Sequence, residues 1–84
     1  MTVRITHVAI GDIVVKMENS IVVTEEPTSH VIYRGNELYR LRTYIERVSR
    51  AICTTLELVD GEEGLKPVED YQCRYEITPS PRSL

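Results

Sequence analysis

The stretch TYIERVSRAICTTLELV, Thr43 to Val59, decides how the rest of the chain is read. With Leu41 just before it, Ile45, Val48, Ile52, Leu56 and Val59 recur at steps of three and four, the period of one face of an α-helix. Arg42, Glu46, Arg50, Thr54 and Glu57 fall on the opposite side of such a helix. Thr43-Tyr44-Ile45-Glu46 has the form of a capping box, in which the threonine hydroxyl and the glutamate each satisfy a free amide. The expected helix runs from Thr43 towards Val59, with Gly61 just beyond it as a stop. The β-branched pair Thr54 and Thr55 supports an alternative, a helix ending near Cys53 and a strand over Thr55 to Val59. That version needs a connection of almost no residues where about two to six are usual, so the longer helix is preferred.

Outward from this stretch the pattern is extended. Thr2 to Ala9 alternates, with Val3, Ile5 and His7 on one side and Arg4, Thr6 and Val8 on the other. Gly11 and Asp12 make a turn into a strand over Asp12 to Glu18. Asn19 and Ser20 suit a tight hairpin loop, and Ile21 to Glu25 follows as a third strand. Pro27 and its polar neighbours break the pattern. Val31 to Arg34 and Glu37 to Leu41 flank Gly35-Asn36, a hairpin signal that sets Arg34 against Glu37 and Tyr33 against Leu38. Asp60 to Gly64 forms an acidic loop that runs on to Pro67. Asp70 to Thr78 alternates again, with Tyr71, Cys73, Tyr75 and Ile77 on one face.

The expected architecture is α+β: a five- or six-stranded, mainly antiparallel sheet packed on one α-helix. A β-meander, a hairpin and a C-terminal strand make up that sheet. The expected organisation is one small domain over residues 1–78 and a flexible C-terminal tail over 79–84. The uncovered face of the sheet gathers Val8, Ile10, Val14 and Val22, which then need covering.

Composition excludes more than it assigns. The net charge is −3 over 84 residues, which weighs against a dedicated nucleic-acid coat. Its distribution is uneven: five arginines lie between Arg34 and Cys53 against Glu37 and Glu46, and both flanking segments are acidic. Cys53 and Cys73 fit neither a disulfide framework nor a zinc site, and no apolar run suits a signal peptide or a membrane span. A cytoplasmic, intracellular setting is expected, with no metal and no cofactor.

The arginines are the strongest local signal. Arg34, Tyr39, Arg40, Arg47 and Arg50 are the candidate binding residues, able to meet an anion or to stack on bases. Against this, pairing with nearby glutamates makes the same residues an ordinary solvated surface, and the negative net charge favours that reading. His7 and His30 lack the partners that a general base needs. Cys53, near Arg50, is the candidate for a reactive thiol, whereas Cys73 reads as a small core residue. Asp60 to Gly64 lacks the alternating ligands of a calcium loop, and no glycine-rich phosphate cradle is present.

The expected function is a non-enzymatic protein-protein interaction module, an inhibitor or accessory subunit, with a homodimer as its simplest form. Tyrosine and arginine, enriched at binding hot spots, are well represented. A nucleic-acid-binding module using the basic segment 34–50 is the alternative. A small-molecule-binding or enzymatic domain is the third reading.

Overall fold

Thr43, Ile45, Val48, Ile52, Thr54, Thr55 and Val59 are β-branched, stiff at χ1 and suited to a pleated strand. In the computed structural model, which describes residues 1–79, they form two strands and the turn between them. The α+β expectation is therefore corrected: regular structure among the described residues is entirely strand, and the helix is absent. Among the described residues seven strands form: β1 (Thr2–Ile10), β2 (Ile13–Val23), β3 (Thr28–Arg34), β4 (Glu37–Ile45), β5 (Ile52–Asp60), β6 (Gly64–Val68) and β7 (Tyr71–Thr78). They make two antiparallel sheets rather than one, in the orders β2-β1-β7 and β3-β4-β5-β6. Of the tail expected over 79–84, all but residue 79 lies outside the described residues. No helix among the described residues is long and apolar enough to cross a membrane.

The helical stripe was a reflection through a turn. β4 and β5 pair with Leu41 opposite Leu56, Thr43 opposite Thr54 and Ile45 opposite Ile52. The step from Leu41 to Ile45 is one helical repeat but also two strand periods, so spacing alone cannot separate them. Thr43 resolves the matter. It is fully buried, not a cap, and completes the period-two row Tyr39, Leu41, Thr43, Ile45. Val48, the middle of the supposed stripe, is 91% exposed at the tip of the turn.

Glu46 does cap a helical turn, but only one. Arg50 N donates to Glu46 O at 2.9 Å, and Glu46 N donates to Ala51 O at 2.8 Å. The Glu46 carboxylate accepts from Ser49 N at 2.5 Å and from Ser49 Oγ at 2.7 Å. Those bonds hold its pKa below the usual carboxylate value, the Ser49 backbone contributing most. The turn closes with Arg50 at φ 60°, the left-handed region that costs an L-residue roughly 1–2 kcal/mol. Arg50→Gly is therefore expected to stabilise the chain by about 0.5–1 kcal/mol, even with the loss of an exposed ion pair. A denaturant midpoint that rises at unchanged slope is the measurement.

The chain divides into two compact units, Met1–Val23 with the segment from Tyr71 on, and Thr24–Asp70. In the first, Gly11-Asp12 turns β1 into β2 with Gly11 at φ 59°, a value that favours glycine. β1 is central and carries a bulge. Ile5 faces Tyr75 and His7 faces Arg74, so Thr6 has no opposite number on β7. Thr6 Oγ1 donates to Arg74 O at 3.4 Å. The extra residue resets the alternation: Val3, Ile5, Val8 and Ile10 are the buried row, and His7 is on the other face. Val8 and Ile10 thus do not join the exposed patch expected of them, while Val14 and Val22 are exposed.

Asn19-Ser20 does not form a hairpin, because β2 continues through to Val23. Ile5 faces Ile21 and His7 faces Lys16, so Met17 to Ser20 are set against Thr6 alone. The polar residues mark a break in register, with Arg4 Nη1 bonded to Ser20 Oγ at 3.3 Å.

In the second unit Gly35-Asn36 forms the expected hairpin. Arg34 pairs Glu37, Tyr33 pairs Leu38, and Gly35 is at φ 59°. Ile32, Tyr39, Leu41, Thr43, Ile45 and Leu56 are buried. Each fully buried Leu or Ile is worth about 1.5–3 kcal/mol. Thr43 Oγ1 lies 3.3 Å from Thr28 Oγ1, which meets His30 Nε2 at 3.0 Å, so the buried hydroxyl has its partner. The loop expected to run on to Pro67 is instead strand from Gly64, as part of β6, with Pro67 in an edge strand where a missing amide is tolerated.

Candidate interaction surface

β4 sorts the basic segment onto two faces. Arg34, closing the hairpin, bonds Glu37 Oε1 at 3.0 Å, and its guanidinium lies 5.9 Å from the Tyr39 ring centroid. Tyr39 is on the buried face, and burial is the main cause of its raised pKa. Its ring is therefore closed to base stacking. Arg40 points to the opposite face and grips Glu57 Oε1 of β5, Nε at 3.2 Å and Nη2 at 2.5 Å. Arg47 and Arg50 sit in the β4–β5 turn, where both meet Glu25: Arg50 Nη1 on Oε1 and Arg47 Nε 3.8 Å from Oε2. The five candidate residues thus fall into three separate places, and each arginine has a carboxylate partner. Only Arg34 and Tyr39 meet, and Arg47 and Arg50 share Glu25. A single positive stripe over residues 34–50 does not form.

The remaining candidates also separate. Cys53 pairs with Tyr44 across β4 and β5, and that contact is the chief reason the Tyr44 hydroxyl pKa is raised. Arg50, expected beside Cys53, is held by Glu25. Cys73 lies opposite buried Val8 but is itself only half-buried, at the margin of the core. Burial lowers the pKa of His30, whose Nε2 meets Thr28 Oγ1. His7 lies between Lys16 and Arg74 in register, its Nδ1 2.9 Å from Thr6 Oγ1. Among the described residues no group of three or more His, Cys, Asp or Glu could hold a metal ion.

The acidic turn is a self-contained device. Asp60 Oδ1 accepts from Glu62 N at 3.0 Å and Glu63 N at 3.4 Å, and Lys66 Nζ bridges Asp60 (3.3 Å) and Glu63 (2.8 Å). The Glu62 amide, then Lys66, lower the Asp60 pKa from its usual 3.8. A carboxylate depressed in the folded state stabilises above its unfolded pKa, and that contribution is lost as pH falls through the folded value. Asp60→Asn is expected to make the acid limb of stability against pH shallower below about pH 4, read from thermal midpoints across an acid series.

The surface that the sequence did not show is the outer face of the four-stranded sheet. Tyr33 pairs Leu38, and Val59 pairs Leu65. Extending the β4–β5 register by one residue sets Leu38 beside Val59, so the four make a row across all four strands. Tyr33 is 71% exposed, Leu65 and Val59 are exposed, and Leu38 is half-buried. Alongside runs a second row, Val31, Arg40, Glu57 and Pro67, with the Arg40–Glu57 ion pair in its centre and Val31 60% exposed at one end. An apolar strip with a satisfied ion pair beside it resembles the mixed character of protein interfaces. Its Tyr33–Leu38 half follows from the Gly35-Asn36 hairpin, whereas Val59 and Leu65 join it only through the β4–β5 and β5–β6 registers.

No family model, curated protein or solved structure matches this chain.

Proposed function

We propose that the chain is a non-enzymatic interaction module that engages another protein through the outer face of its four-stranded sheet. The observation that carries this is the exposed row Tyr33, Leu38, Val59, Leu65, beside a spanning Arg40–Glu57 pair. Tyrosine and leucine supply apolar area there, while arginine and glutamate set orientation. A cytoplasmic setting is part of the proposal, supported by the thiols of Cys53 and Cys73.

Leu65→Glu tests the surface. Leu65 is exposed near the start of an edge strand, so the change leaves the core untouched. Wild-type and Leu65→Glu chains, matched for circular dichroism, are used as bait in extract of the native host. A protein held by the wild type and lost by the variant supports the proposal. The same proteins on both baits would reject it.

A further inference from the structure

The two sheets have four edges, and three of them are guarded. β2 carries Lys16 and Glu18 and a break in register. β7 alternates Arg74 and Glu76 on its exposed face. β6 is short and contains Lys66 and Pro67. Charge, proline, brevity and irregularity are the usual protections against strand addition. β3 has none of these within its length. It runs TSHVIYR in unbroken register with β4, with no lysine, proline or bulge, and its one charged residue is Arg34 at the end.

The direction of its backbone groups follows from β4. Glu46 N bonds Ala51 O on the β5 side, whereas Ile45 N bonds Thr24 O on the other side. Odd-numbered residues of β4 therefore face β3, and the pairs Thr28–Thr43, His30–Leu41, Ile32–Tyr39 and Arg34–Glu37 hold the ladder bonds. Ser29, Val31 and Tyr33 turn their amides and carbonyls away from β4, towards the open edge. Their side chains are also exposed.

We propose that β3 pairs antiparallel with β3 of a second copy of this chain, about a two-fold axis at Val31. This rests on the interaction-module reading and names the partner at its β3 margin. The register is self-complementary: Val31 meets the partner's Val31, and Ser29 meets the partner's Tyr33. Those are the residues whose backbone groups point outward, so amide meets carbonyl along the seam. Arg34 faces the partner's Thr28, so no like charges oppose. Val31 and Tyr33, the most exposed apolar side chains of β3, come together diagonally across the axis. A two-fold seam also closes the association at two copies.

A residue on a two-fold axis opposes itself, which gives the test its form. Val31→Lys and Val31→Glu are made, each checked for native circular dichroism and melting. In sedimentation at high micromolar concentration the wild type is expected to be dimeric, each variant alone monomeric, and their equimolar mixture dimeric again. A monomeric wild type, or variants that stay dimeric, would overturn the β3 seam. Neither result touches the bait comparison with Leu65→Glu, on which the broader reading stands or falls.

Discussion

Leu41→Ala is expected to destabilise the chain by about 2–5 kcal/mol, and Val48→Ala to leave stability within about 0.5 kcal/mol. Leu41 is fully buried in a central strand between its partners His30 and Leu56. Removing its side chain leaves a cavity that a pleated layer with bonds on both sides closes poorly. Val48 is 91% exposed at the turn tip and buries almost nothing. A helix over Thr43 to Val59 would place Val48 on its buried face, in line with Leu41 just before the cap, and make its truncation costly too. Urea titration of the two variants separates the arrangements, and comparable losses at Leu41 and Val48 would contradict the hairpin.

Val8→Asp is expected to abolish stable folding, while His7→Asp is expected to leave stability within about 0.5 kcal/mol. Val8 is fully buried, and the row it joins is apolar. A carboxylate there must either ionise without solvent or be neutralised at the expense of several kcal/mol, comparable to the whole stability of a small domain. His7 sits on the opposite face between Lys16 and Arg74, where an added negative charge is well placed. Plain alternation from Val3 puts His7 inside and Val8 outside, so it requires the reverse order of effects. Thermal unfolding monitored by circular dichroism distinguishes them.

The contrast shows which parts of the fold were legible. The Gly35-Asn36 hairpin was read with its register because a two-residue turn fixes the pairing on both sides. β1 and β7 are both legible as strands from alternation, although in β1 the bulge at Thr6 breaks the alternation half-way. The turn at Glu46 to Ala51 was not, because it contains no glycine, proline or asparagine. Its left-handed position is held by Arg50 instead. Without that signal, a mirror-symmetric pair of strands carries the spacing of a helix. The bulge at Thr6 was silent for a similar reason: threonine is as welcome in a regular strand as in an irregular one.

The candidate site was legible as a local excess of arginine but not as a surface. Arg34 and Arg40 are six residues apart, yet the pleat places them on opposite faces. Glu25 and Glu57 are far in sequence from the arginines they meet, and nothing local announces them. The row from Tyr33 to Leu65 draws one residue from each of four strands, so it exists only once every register is known.

The supernumerary residue in β1 bears on how this protein can vary in length. Excising Thr6 would restore strict alternation and still leave Val3, Ile5, Val8 and Ile10 pointing the same way. A one-codon loss at Ala9 would instead turn Ile10 outward. Shortened variants of this chain are therefore expected to survive when the gap falls at Thr6 and to be lost when it falls three residues later.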